Sequence, residues 1–67
     1  MYMKSNYAKQ LGKTFKEARS KMRLKQIDVA DKAGINSNYY AKVERGEVNV
    51  SMELGSKIAN VLKIKLN

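Results

Sequence analysis

The sequence predicts an all-α fold of four helices, and three observations carry that prediction. Pro is absent, so no position is barred from a helix by a missing N–H. No stretch combines β-branched residues with period-two alternation, the pattern of a half-buried strand. Apolar residues instead recur at spacings of three and four, in segments punctuated by Gly34 and Gly46. The chain has 67 residues, enough for one domain over residues 1–67. A domain that small buries only about 60% of its unfolded surface, so its stability margin is thin.

Met1 to Lys4 are expected to fray, with Ser5 or Asn6 capping the first helix. Ala8, Leu11, Phe15, Ala18 and Met22 then form one helical face, and Lys9, Lys13, Lys16 and Lys21 lie away from it. Gly12 sits inside this helix and costs about 1 kcal/mol relative to Ala. Close packing and a slight bend are both open as its purpose. The helix is expected to stop near Met22 or Arg23, with Leu24 anchoring the turn. Arg19 falls at the edge of the apolar stripe, where a half-buried cation needs a partner. Glu44 is the candidate; the competing reading makes both of them solvated surface charges.

The second helix begins near Gln26. Lys25 is a poor N-cap, so its start is weakly specified. Asp28 and Asp31 suit its N-terminal half and are expected to face solvent. Ala30 and Ala33 are small where another helix must approach, and Gly34 ends the helix. Asn36 and Ser37 are both good N-caps for a third helix running to Glu44 or Arg45. Tyr39 and Tyr40 point about 100° apart, so only one can be core. Tyr40 shares a side with Val43 and is assigned there, its hydroxyl reaching the edge; Tyr39 is left exposed. Gly46 caps the loop Arg45–Val50. Ser51 caps a fourth helix lasting to about Lys63, with Leu54, Ile58, Val61 and Leu62 as its buried stripe and Met52 near its start. Gly55 and Ser56 weaken it intrinsically, so packing must hold it. The tail Ile64–Asn67 is too short for another long helix.

Composition narrows the function. With no Cys and no His, disulfides, thiolate metal sites, the commonest metal ligand and the commonest general base are all excluded. The six carboxylates form no evident inward-facing pair. An enzyme, a metal site and a bound cofactor are therefore not expected. Fourteen Lys and Arg against six Asp and Glu give a net charge of +8. Such a surplus points to a polyanion, nucleic acid before a membrane surface; the bland reading is that Lys only confers solubility. No apolar run approaches the roughly 18 residues of a membrane span, and no signal peptide is evident, so a cytoplasmic protein is expected. The side chains left over on the third helix are Ser37, Asn38, Tyr39 and Lys42. They are polar and rich in hydrogen-bonding groups, as the major groove of double-stranded DNA requires. Asn suits adenine, Lys suits guanine, and Ser is permissive. Gln26 can point an amide and free backbone N–H groups at a phosphate.

Together these residues resemble the phage-repressor and Cro-like helix-turn-helix regulators. Counting Gln26 as first, the motif's small fifth position is Ala30, its Gly at the ninth is Gly34, and its apolar fifteenth and eighteenth are Tyr40 and Val43. Arg19 and the run Glu44-Arg45-Gly46 match as well, and the likeness extends from about Leu11 to Leu66. The stretch Tyr39 to Ser51 is also similar to restriction–modification controller proteins. The resemblance implies a compact four-helix lambda-repressor-like domain, with or without a short fifth turn. It implies a recognition helix at about 37–45, with Ser37, Asn38, Tyr39 and Lys42 reading bases. Gln26, Asn36 and Asn49 match phosphate or groove-edge positions. Arg23 and Lys25 stand where the family often has Gly and Ser or Thr, and would gain phosphate contacts. Arg19 and Glu44 match a buried ion pair. A homodimer on a palindromic operator is implied, built on Val48, Val50, Ile64 and Leu66 or, alternatively, on the N-terminal Tyr2, Met3 and Tyr7. A protein–protein adaptor reusing the fold, such as an antitoxin or anti-repressor, is the competing class.

Overall fold

The first helix starts earlier than its capping signals suggest. In a computed structural model, which describes residues 3–65 and side chains from Tyr7 onward, the helices are α1 (Met3–Lys21), α2 (Gln26–Ala33), α3 (Ser37–Glu44) and α4 (Met52–Leu62). Helix α1 therefore runs through Ser5 and Asn6 and includes Met3 and Lys4, which were expected to fray. The described residues contain no strand, so the fold is all-α, and none of their helices follows α4. No helix among them is long and apolar enough to cross a membrane.

The core takes Phe15 from α1, Val29, Ala30 and Ala33 from α2, Tyr40 and Val43 from α3, and Ile58, Ala59 and Leu62 from α4. Helix α2 packs on both α3 and α4, and α1 closes over the same two helices. Each large apolar side chain buried there contributes about 1.5–3 kcal/mol. Three expectations are corrected. Met22, the last residue of the α1 stripe, is exposed, because α1 has ended and the chain is already turning. Tyr40 is wholly buried; its hydroxyl does not reach the edge. The inward line of α4 is Gly55, Ile58, Ala59 and Leu62, with Leu54 and Val61 only half-buried and Met52 exposed. The small residues of α4 lie inward, where Tyr7 and Leu11 of α1 come alongside them.

Gly12 serves close packing. A Cβ there would meet the backbone carbonyl oxygens of Val43 and Glu44, the latter at 2.5 Å. The backbone of α1 thus lies almost directly on the end of α3. The start of α2 is better specified than Lys25 suggests: Asp28, half-buried rather than free in solvent, accepts a hydrogen bond from the Lys25 backbone N–H at 2.8 Å.

All four helices end in the same way. Arg23, Gly34, Gly46 and Lys63 are left-handed, with φ of 59°, 73°, 74° and 59°. Each donates its N–H to the carbonyl three residues back, and the next residue donates to the carbonyl five back: Leu24 to Arg19, Ile35 to Ala30, Glu47 to Lys42 and Ile64 to Ala59, at 2.9–3.1 Å. This doubly bonded cap satisfies carbonyls that the helix leaves open. Leu24, Ile35 and Ile64 also pack against the core, completing the motif with an apolar contact; Glu47 does not.

Two substitutions should move stability in opposite directions. Gly12→Ala gains about 1 kcal/mol of helix propensity, but its methyl strikes backbone and forces α1 off α3 at about 1–3 kcal/mol; thermal unfolding should show a lower Tm. Arg23→Gly relieves about 1–2 kcal/mol of left-handed strain against about 0.5–1 kcal/mol of added chain freedom; its Tm should rise. An unchanged or higher Tm for Gly12→Ala would mean that α1 and α3 are not in backbone contact.

Candidate nucleic-acid interface

One carboxylate gathers three helices. Glu44, at the end of α3, accepts from the Arg19 Nε of α1 at 2.6 Å through Oε2, and from Arg19 Nη2 at 3.1 Å and Gln26 Nε2 of α2 at 2.9 Å through Oε1. Arg19 also donates from Nη1 to the Leu24 carbonyl at 3.0 Å. The Glu44 side chain is 2% exposed and that of Arg19 is 15% exposed. Burial works against the Glu44 charge, but the hydrogen bonds from Arg19 and Gln26 outweigh it and hold the carboxyl below the ordinary carboxylate range. The Tyr40 hydroxyl is buried beside this pair without a hydrogen-bond partner. Burial, with the nearby carboxylate, pushes its phenol above the ordinary range.

In this arrangement the Gln26 side chain has a partner within the fold. Its amide nitrogen is turned inward to Glu44, and in the first turn of α2 the Asp28 backbone N–H is taken by the Lys25 carbonyl at 3.1 Å. Asn36 is likewise engaged: its Oδ1 accepts from the backbone N–H of Asn38 at 2.7 Å and of Tyr39 at 3.3 Å, capping α3. Arg23 and Lys25 are exposed just ahead of α2, and Asn49 is exposed in the loop after α3.

The exposed face of α3 carries Asn38 and Lys42, one turn apart. Ser37 is half-buried on its flank. Tyr39 is not exposed as expected; it is half-buried and packs against the core. Arg45, three residues beyond Lys42, completes the same face. The sequence reading missed it by ending the face at Lys42, although 38, 42 and 45 fall at i, i+4 and i+7. Its guanidinium pairs with Glu47, Nε to Oε2 at 2.8 Å and Nη2 to Oε1 at 3.2 Å, in full view of solvent.

The candidate dimer residues separate. Val48, Val50 and Ile64 are half-buried against the core, while Leu66 and Tyr2, and the side chain of Met3, lie outside the described residues. Val50 and Ile64 line a groove of about 580 Å³ between α1 and α4, together with Tyr7, Leu11 and Ala59. Met52 stands at its rim, 89% exposed, and Tyr7 is 61% exposed. Among the described residues no three carboxylates gather in a way that could hold a metal ion.

A family model described as helix-turn-helix matches residues 15–67. No curated protein is similar enough to be matched with the chain.

Replacing Glu44 by Gln leaves a half-buried guanidinium without its counter-charge, a loss of about 3 kcal/mol or more, which is a large part of a small domain's margin of roughly 5 kcal/mol. Because the folded carboxyl titrates below its ordinary range, its contribution is complete above the ordinary carboxylate pKa and disappears as pH falls through the folded value. The Tm gap between wild type and Glu44→Gln should thus be wide at neutral pH and narrow in acid. A gap independent of pH would contradict a stabilising charge at Glu44.

Proposed function

The chain belongs to the helix-turn-helix family of phage-repressor and Cro-like DNA-binding regulators, and we propose that it reads double-stranded DNA by sequence with α3 in the major groove. The observation that carries this is a polar, exposed helix face held rigidly from behind. Asn38 and Lys42 project from α3, while Glu44 on its far side is fixed by Arg19 and Gln26. Bases are read by Asn38 and Lys42, with Ser37 and the rim of Tyr39 at the flanks of the face. Arg23, Lys25 and the first-turn N–H groups of α2 meet phosphate on one side, and Asn49 on the other. Gln26 positions α3 from its place on Glu44, and Asn36 does so by capping it. The net charge of +8 supplies the sequence-independent attraction.

Binding as a homodimer on a palindromic operator belongs to the same proposal. Its support is the groove between α1 and α4, which joins surfaces that the sequence offers as alternatives: Tyr7, Val50 and Ile64 line it together. A recess with an exposed Met52 at its rim offers both knob and hole on one patch, as a two-fold contact requires. Of its lining residues only Lys65 is charged, so two +8 chains can meet there with least repulsion. Val48, half-buried against the core like Val50 and Ile64, does not line the groove.

The test is titration of a duplex selected from a random pool. Asn38→Ala should weaken binding to the selected site by roughly 1–3 kcal/mol and leave random duplex binding unchanged; equal loss on both would count against base reading. Neutralising about six phosphates gives a slope of log affinity against log salt near −5, and a flat response would remove the DNA role. Two chains should bind each selected duplex.

A further inference from the structure

The caps of the four helices single out one residue. After each left-handed position, three helices place an apolar anchor on the core, Leu24, Ile35 and Ile64. Helix α3 alone places a carboxylate there, Glu47. Packing gives no reason for it: the Glu47 side chain is 50% exposed and its partner Arg45 is 55% exposed. What Glu47 does is take the whole fork of Arg45, with Nε and Nη2 on its two oxygens. Lys42 is close enough to add its attraction, and both cations hold the Glu47 carboxyl below the ordinary range. The chain thus has a negative charge on the cationic end of the face that carries Asn38 and Lys42.

We propose that Arg45 is a phosphate-binding residue of the recognition helix and that Glu47 occupies its guanidinium in the free protein, to be displaced by a DNA phosphate. This rests on the DNA-binding reading above. The two acceptors are alike in geometry, since carboxylate and phosphate both present paired oxygens to the planar guanidinium fork. The exchange is cheap in one direction, because an exposed ion pair is weakly held and salt-screened. It is favourable in the other, because neutralising a phosphate releases a condensed counter-ion. Phosphate, not a base edge, is the partner. Arg45 lies at the last turn of α3, about 10 Å along the helix from Asn38 at 1.5 Å per residue, where a helix entering the groove by its N-terminal half has reached the backbone. The pair also lowers the cost of binding, because the Arg45 side chain is already held by Glu47 when DNA arrives. Glu47 sets a threshold in return: weakly charged or neutral surfaces cannot displace it.

The test is a double-mutant cycle on the intact chain, read by duplex titration over a salt series, using the selected duplex and a random one. Arg45→Ala should lower affinity about tenfold on both duplexes and make the salt slope shallower by about one. Glu47→Gln should raise affinity about two- to fivefold on both, the worth of an exposed pair. In the Arg45→Ala background, Glu47→Gln should then change little. If Glu47→Gln raises affinity equally with and without Arg45, Glu47 acts by simple repulsion and the exchange is overturned. If Arg45→Ala weakens only the selected duplex, Arg45 reads a base and the phosphate assignment falls. Both residues are exposed, and unchanged circular dichroism and Tm will show that the variants fold. Failure of wild type to bind either duplex would overturn the DNA-binding reading itself, an outcome distinct from either result above.

Discussion

The Glu44 carboxylate is the constraint on which the rest of the structure depends. It lies 25 residues from Arg19 and 18 from Gln26 in sequence, so it joins α1, α2 and α3 at one point. Its burial is costly by itself, and paired charges in a core add little net stability over apolar residues of the same volume. What the pair supplies is direction. Arg19 uses three of its nitrogens, two on Glu44 and one on the Leu24 carbonyl, and rotation of α3 would break the bidentate geometry of that fork. Gly12 is the backbone counterpart of the same constraint. It lies two turns before Arg19 on α1 and lets that backbone touch the carbonyls of Val43 and Glu44. The helix that presents Asn38 is therefore fixed at its C-terminal end twice, once by charge and once by contact.

The four repeated caps explain how so short a chain holds four helices in place. Each turn is made by two backbone hydrogen bonds and a left-handed residue, with no long loop to order. Three of the turns also fasten an apolar residue to the core. Two of the left-handed positions carry Gly and two carry a cation, Arg23 and Lys63. A cation at a helix C-terminus interacts favourably with the helix dipole, which offsets part of the backbone strain. At Arg23 the same side chain stands just ahead of α2, where the proposed phosphate contact lies; one position serves a turn and a ligand, at some expense to the turn.

What the sequence shows of this fold is what periodicity and capping chemistry encode. The α1 face from Ala8 to Phe15, the Gly34 turn, the Asn36 and Ser51 caps and the buried Tyr40 and Val43 follow from local spacing. Arg19 and Glu44 could be read from spacing only as a possible pair, because the distance between them is a property of the packed helices. The misreadings share a cause. Periodicity ranks residues by hydrophobicity, whereas packing selects by the room available; hence Gly55 and Ala59 point inward on α4 while Leu54 and Val61 stay half-exposed. Spacing leaves Tyr39 outside because Tyr40 takes the core position, yet its ring is large enough to pack half-buried against the core as well. Gln26 and Asp28 look like free polar groups in the sequence, but each has a local or cross-helix hydrogen bond, and only the fold shows which partner takes it. Arg45 escapes the spacing because it sits at the boundary between helix and loop, although its angular position continues the helix face.

The division of labour on this surface follows from how the two kinds of contact depend on angle. In the proposed complex, rotation of α3 by the angle of one residue, about 100°, would withdraw Asn38 and Lys42 from the groove. It would barely change the attraction between a +8 chain and the phosphates, which depends on distance. Base reading therefore demands a helix locked in rotation, and phosphate binding does not. The molecule places its groups accordingly. The buried, doubly bonded charge pair lies behind Asn38 and Lys42, the proposed reading residues, where a non-directional apolar contact would hold α3 less firmly in rotation. The exposed, exchangeable pair Arg45–Glu47 lies at the rim, where some freedom of the side chain does no harm. A buried ion pair and a surface one, three residues apart in sequence at Glu44 and Glu47, thus answer different requirements: the first fixes what the helix presents, and the second, in the exchange proposed above, governs how readily its charge is given up to DNA.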